Sequence, residues 1–247
     1  MAEARIAIVT GGGTGVGAAC ATSLAAAGRT VAVLGRRREP LDEVAGRAEG
    51  IHAFPCDVTD PADVERVFAQ VVDRFGRLHL LFNNAGRGGS ALPVDEVDVD
   101  EWRQVVDLNV TGTFLCTRAA FGIMRHQVPQ GGRIVNNGSI SAQVPRPGSI
   151  AYTATKHAVT GITRSTSLDG RPFSIAAGQI DIGNAATEMT ERMVAGVPQA
   201  NGSMMVEPRM DVRHVADMVV HMAGLPLDAN IQFVTVMATQ MPFIGRG

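Results

Sequence analysis

The sequence predicts an α/β fold: a doubly wound parallel sheet of about seven strands with helices on both faces. Two observations lead there. Short apolar, β-branched runs alternate with helical stretches from residue 5 to residue 236. The first such run passes straight into a glycine-rich turn and then a helix. Length agrees, because 247 residues of which 45% are hydrophobic can bury one large core without being split.

The elements follow in order. Residues 5–9 (Arg-Ile-Ala-Ile-Val) read as a buried strand, and residues 18–27 as a helix closed by Gly28. Residues 30–35 form a second strand and 40–49 a helix; 51–54 form a third strand. The helix over 60–75 opens on Asp60-Pro61, an N-cap followed by proline. Residues 78–83 are the fourth strand. A long helix over 100–124 carries an apolar stripe of Trp102, Val105, Val106, Val110 and Phe114, with Asn109 on its inward side. Strand five is expected at 132–137, a helix at 150–168, strand six at 173–180, a helix at 212–223 and a short seventh strand at 231–236. Residues 183–209 are the one long irregular stretch and read as a loop on the same unit, beside the substrate. No repeat or low-complexity linker divides the chain, so residues 1–247 are expected to form a single domain.

The turn after strand one reads Thr10-Gly11-Gly12-Gly13-Thr14-Gly15-Val16-Gly17. A strand, a glycine turn and a helix make a phosphate cradle. Gly11 permits the tight turn, Gly15 lets backbone approach a pyrophosphate, and Gly17 allows close helix packing. The helix N-terminus supplies the positive pole. Alone, such a string can be a flexible turn; the flanking strand and helix argue against that.

The chain has one tyrosine, and its one lysine lies four residues later, at Tyr152 and Lys156. A lone lysine placed at random would land there roughly once in 250 trials, so chance is a weak explanation. Residues four apart share a helix face. A phenol has an ordinary pKa of about 10, and a neighbouring ammonium favours its phenolate form. The bland alternative is an exposed surface pair.

Composition excludes several classes. A formal net charge of −2 leaves no electrostatic footprint for nucleic acid or an anionic membrane. Cys20, Cys56 and Cys116 are odd in number and far apart, so they read as reduced core residues of a cytoplasmic protein. The first strand begins by residue 5, so no signal peptide is expected, and no apolar run reaches membrane-spanning length. The histidines show no ligand spacing, so no metal is expected. His157 is one helical step, about 100°, away from Lys156, and reads as structural.

Taken together, the motifs resemble the short-chain dehydrogenase/reductase family over nearly the whole chain. Thr10–Gly17 matches its T-G-x-x-x-G-x-G, and Asp57-Val58 the Asp-Val after strand three. Asn83-Asn84-Ala85-Gly86 matches N-N-A-G after strand four, and Tyr152-Thr153-Ala154-Thr155-Lys156 matches Y-x-x-x-K. Asn109 and Ser139 fall in family order between them. The resemblance implies a Rossmann fold and interconversion of an alcohol and a ketone or aldehyde by hydride transfer with NAD(P)(H). It implies Tyr152 as general acid or base, Lys156 bonded to the nicotinamide ribose, Ser139 on the substrate oxygen and Asn109 holding a relay water. From the residues alone, a satisfied core amide is the preferred reading of Asn109, and the resemblance reverses it.

Cofactor contacts are expected at Gly11, Gly13, Thr14, Gly15, Val16, Gly17, Asp57, Val58, Asn84, Ala85, Gly86, Tyr152 and Lys156. Gly35 stands where NAD-using relatives carry an acid, and Arg36-Arg37-Arg38 follow, so NADP(H) is favoured, with NAD(H) retained as the alternative. After strand six the family's P-G and following Thr are missing in plain form. Ala177-Gly178 is the best match to P-G, which puts Ile182 at the Thr and leaves Thr187 as a displaced hydroxyl. Ser141, Gln143, Arg146, Asn184 and Met189 are pocket candidates that define no substrate class. The resemblance further implies a homotetramer or homodimer packed through the long helices, with Ala158, Gly161 and Ile162 allowing close approach. A cofactor-binding sensor, or an isomerase or dehydratase retaining its cofactor, is the alternative function.

Overall fold

The computed structural model describes residues 5–244. Seven strands form one parallel sheet: β1 (Arg5–Thr10), β2 (Arg29–Gly35), β3 (Ile51–Pro55), β4 (Leu78–Asn83), β5 (Gly132–Asn137), β6 (Ile175–Gly183) and β9 (Phe233–Met237). Their order is β3-β2-β1-β4-β5-β6-β9. The chain steps outward from β1 to β3, then crosses back to lay β4 beside β1. That reversal opens a crevice at the carboxyl ends of β1 and β4, where ligands bind in doubly wound sheets.

Helices α1 (Gly15–Ala26), α2 (Arg38–Ala45) and α7 (Arg213–Gly224) serve one face. Their core sets Leu24, Leu41, Val215 and Met222 against Val9, Val33 and Phe82. Helices α3 (Pro61–Phe75) and α5 (Gly112–His126) serve the other, burying Phe68, Leu115 and Met124 against Ile8, Leu34 and Leu81. Strands buried on both faces need continuous apolar runs, and β1 and β2 supply them.

Three expectations are corrected. Helix α1 starts at Gly15, three residues before the expected 18, so the last glycines of the turn are its first residues. The long helix is not regular: α4 (Val99–Val106) joins α5 through a π-helical turn, Asp107–Thr111. One extra residue in that turn rotates everything beyond it, so Phe114 faces outward at 51% exposure instead of continuing the inward stripe. Finally, β6 begins at Ile175 and runs on to Gly183, because Phe173 belongs to a preceding 3₁₀ turn.

Residues 183–209 are more ordered than a bare loop. They hold a 3₁₀ segment at Glu188–Val194 and the two short strands β7 (Val197–Pro198) and β8 (Met204–Met205), paired antiparallel. The last helix of the sheet side, α6 (Ile150–Gly170), carries Tyr152 and Lys156 in its first two turns.

Candidate active site

The glycine turn is shaped for close approach. Gly11 has φ +62°, and a Cβ there would sit 2.9 Å from Ala85 Cα. A Cβ at Gly17 would fall 2.2 Å from the Gly11 carbonyl and 2.6 Å from Asn84 Nδ2. Gly17 thus packs α1 onto the turn itself. Asn84 knits the crevice, donating to the carbonyls of Thr10 (3.0 Å) and Gly11 (3.2 Å), while the amides of Asn84 and Ala85 donate to Thr10 Oγ1. Helix α1 opens with no side-chain cap at Thr14 and no acid in its first turn. Its leading N–H groups are therefore left for an anion, which fits a dinucleotide pyrophosphate.

A cavity of about 480 Å³ continues from the turn, lined by Gly13, Thr14, Arg36, Arg37, Asp57 and Val58 among others. Arg36 and Arg37 are exposed there, whereas Arg38 turns to Asp42 at 2.7 Å. Asp57 caps its own loop, accepting from Thr59 N and Oγ1. Gly86 stands close to Asn109, whose Oδ1 would be 3.1 Å from a Cβ at that glycine.

Tyr152 and Lys156 stack as their spacing predicts, with Lys156 Nζ 5.5 Å from the phenol ring centre. Lys156 is buried and donates to the Asn137 carbonyl at the end of β5, at 2.7 Å. Asn137 Nδ2 in turn donates to Asn84 Oδ1 at 2.9 Å, joining the lysine to the glycine turn. His157 points away and bonds the Thr153 carbonyl.

Ser139 is buried at the end of β5. Its amide donates to Asp181 Oδ1 at 3.0 Å, and its hydroxyl oxygen accepts from Ser141 N at 3.1 Å. Asp181 is 4% exposed and also accepts from Gln179 and Gln143. Asn109 lies in the π turn. Its Oδ1 accepts from Arg87 N at 2.9 Å, and its Nδ2 donates to Arg87 O and Thr155 Oγ1. Both amide hydrogens are therefore taken, and one lone pair of Oδ1 is left over. The side chain braces the 86–89 loop against α6.

The end of β6 revises the reading of the departure from the family pattern. Ala177 and Gly178 pair with Ile134 and Val135 in mid-sheet, so they do not close the strand. The strand closes at Gly183, and Asn184 turns the chain at φ +51°. Ile182 is then a strand residue, and Thr187, four past Gly183, packs beside Gly15 at 3.5 Å from a Cβ built there. Ile182 and Thr187 both line the second cavity, of about 320 Å³, together with Val16, Ser139 and Tyr152.

Beyond Tyr152 that cavity is largely apolar, with Ile140, Met189, Met193 and Val197 in its wall. One polar device faces it. Arg146 bonds both Asn184 Oδ1 and the buried carboxylate of Glu207, which also accepts from Asn184 Nδ2 and Gln199 Nε2. Burial pushes the Glu207 carboxyl upward, but the hydrogen bonds from Asn184 and Gln199 and the Arg146 guanidinium outweigh it, and its pKa is lowered. The cluster pins the 196–208 segment to the loop before α6.

A family model described as short chain dehydrogenase matches residues 5–197. The chain belongs to that family. A 3beta-hydroxysteroid dehydrogenase of Mediterraneibacter gnavus is 34% identical over 202 residues, covering 79% of this chain and 71% of that protein. A 2,5-dichloro-2,5-cyclohexadiene-1,4-diol dehydrogenase of Sphingobium indicum is 38% identical over 186 residues, covering 75% and 74%. In fold, the chain superposes on 3-ketoacyl-(acyl-carrier-protein) reductase from Brucella melitensis complexed with NADH, with TM-score 0.86 at 24% identity over 96% of this chain and 98% of that one. Like its family, the protein is an NAD(P)-dependent dehydrogenase/reductase.

Three supports of the site lie outside the sequence motifs. Asn137 holds Lys156, and Asp181 with Gln179 holds Ser139. The signal was present as polar residues alternating in β6, at Gln179 and Asp181, within an otherwise apolar strand. Among the described residues, no group of three or more His, Cys, Asp or Glu could hold a metal ion, and no helix is long and apolar enough to cross a membrane. The three cysteines are free and buried; burial raises all three thiols, Cys56 to about 12.

Proposed function

We propose that the protein interconverts a mainly apolar secondary alcohol and its ketone, with NADP(H) as the preferred coenzyme and Tyr152 as general acid and base. The observation that carries this reading is the convergence of Tyr152, Ser139 and Thr187 on one apolar cavity beside the glycine turn. When bound, the nicotinamide ring supplies or accepts the hydride.

The chain's own residues handle the proton and the geometry. Tyr152 gives its phenolic proton to the carbonyl oxygen on reduction and takes the hydroxyl proton on oxidation. The Lys156 ammonium, held by Asn137, lies beside the phenol ring and has donors left for ribose hydroxyls. Ser139 Oγ directs a hydrogen bond to the substrate oxygen, and Asp181 fixes the serine's backbone. Asn109 braces the floor and offers the remaining Oδ1 lone pair to a relay water. Thr187 and Ile182 would hold the nicotinamide end, and Gly11–Gly17 and Asn84–Gly86 would hold the pyrophosphate and its neighbourhood.

Coenzyme preference rests on Arg36 and Arg37, which line the same cavity as Gly35, a glycine at the end of β2 and not an acid; the one carboxylate among the described residues of that lining, Asp57, caps its own loop. Guanidinium groups bind a 2′-phosphate bidentately. Substrate class rests on the apolar wall, and the two relatives, both named for ring alcohols, support a cyclic secondary alcohol. A panel of cyclic and linear alcohols and ketones, followed by coenzyme absorbance, tests this. Turnover only on linear, charged substrates would contradict it.

The reading extends to one dinucleotide-binding unit over 1–247, with 183–209 covering the substrate, working in the cytoplasm as a homodimer or homotetramer. Exposed Phe114 and Leu168, at 51% and 59%, on α5 and α6 support assembly through those helices. No Cβ at Gly161 would meet anything within 4 Å, which leaves room for close approach. Sedimentation showing only protomers at micromolar concentration would refute assembly.

A further inference from the structure

At the end of the sheet opposite the active site, four arginines start four adjacent strands. Arg29 opens β2, Arg5 opens β1, Arg77 immediately precedes β4, and Arg133 is the second residue of β5. These strands are neighbours in the order β2-β1-β4-β5, and Arg5 and Arg29 are register partners. Adjacent strands lie about 4.8 Å apart, so the row spans roughly 14 Å. All four line one cavity of about 480 Å³, and no Asp or Glu is among the described residues of its wall. None of the four takes part in an ion pair among the described residues.

Structural duty accounts for only part of this. Arg133 is 2% exposed, and its Nη groups tie down Asn230 and the carbonyls of Leu225, Pro226 and Ala229. Arg29, 8% exposed, donates to the Ala223 carbonyl. Those bonds explain why two cations are buried. They do not explain why the Nε–H of both Arg133 and Arg77 is buried without an acceptor among the described residues. A buried donor without a partner is costly, and such groups point to a missing ligand. Nor do they explain Arg5 and Arg77 joining like charges. Arg29 registers that crowding: burial first, then Arg5 and Arg133, hold its guanidinium below the ordinary arginine range.

The geometry points to a second anion site here, fitted to a compact ligand with two or more linked oxyanion groups, of which a diphosphate is the simplest. Guanidinium edges pair bidentately with such oxygens. The spread of the four groups suits more than one anionic centre. The site is separate from the coenzyme cleft, because a six-residue strand puts about 20 Å between them.

Inorganic pyrophosphate is the probe, titrated with the coenzyme cleft filled by saturating NADP(H) and with ionic strength held constant by sodium chloride. Wild type should melt about 2 °C or more higher in millimolar pyrophosphate. Arg5→Gln with Arg77→Gln should lose at least about tenfold in pyrophosphate affinity by calorimetry, while turnover stays within about twofold. If the double variant does not fold, Arg5→Gln alone carries the test, since no described hydrogen bond is lost with it. An equal response in wild type and variant, or none beyond matched chloride, overturns the proposal. So does a variant that falls from oligomer to protomer while wild type ignores pyrophosphate, because the cluster would then be a subunit contact.

Discussion

Replacing Arg36 and Arg37 together by Ala should convert a protein that prefers NADP into one that does not. Both side chains are exposed on the rim of the cavity that opens from Gly13 and Thr14. The third arginine of the run, Arg38, is engaged with Asp42 at 2.7 Å and cannot substitute for them without breaking that pair. A hydrogen bond to a charged group contributes about 1.5–3 kcal/mol, and solvent exposure places these at the low end. At about 1.4 kcal/mol per tenfold, each arginine should account for roughly tenfold in the NADP Michaelis constant, and the pair for roughly a hundredfold. NAD lacks the 2′-phosphate, so its constant should move by no more than about threefold. Initial rates with both coenzymes on wild type and variant give the comparison, with NAD as internal control. A wild type that prefers NAD by tenfold, or an unchanged NADP constant in the variant, would refute the reasoning. An equal rise for both coenzymes would mean that the loop had moved and that no phosphate contact was lost.

Substitutions at two other residues probe the supports of the site. Glu207 has its folded pKa lowered, so its contribution to stability is present above its unfolded value of about 4.3 and is lost as pH falls through the depressed folded one. Glu207→Gln should therefore lower the melting temperature at pH 7 and flatten its fall below pH 5; an acid limb identical to wild type would show that the carboxylate is not linked to folding. Asp181→Ala strands the buried Ser139 amide, at a cost of about 1–3 kcal/mol, which is several degrees of melting temperature for a chain this long. Asp181→Asn keeps an acceptor and should fall between Ala and wild type in both melting temperature and turnover. An Ala variant that melts and turns over like wild type would remove the positioning role of Asp181.

Much of the site was legible because its chemistry is local in sequence. The glycine turn shows itself through a strand on one side and a helix on the other, and the Tyr152–Lys156 stack through helical spacing alone. What stayed hidden depends on tertiary register. The π turn at Asp107–Thr111 has no composition of its own, so the inward stripe was carried one residue too far, to Phe114. Strand six was cut short at Ile180 because Asp181, Gly183 and Asn184 look like a turn. In fact Asp181 is tolerated inside the sheet by donors from Ser139, Gln179 and Gln143. The arginines at the strand starts are ordinary singly; only the order β2-β1-β4-β5 gathers them.

In the proposed reaction a phenolic proton at Tyr152 completes hydride transfer. Tyr152→Phe deletes that oxygen and leaves the ring, Lys156 and the Asn137 contact in place. Steady-state turnover on the best substrate of the panel, paired with coenzyme binding by fluorescence, is the most direct test. Turnover should fall by about 10²–10⁴-fold, with coenzyme affinity within about threefold of wild type. A variant that keeps half the wild-type turnover would contradict the account.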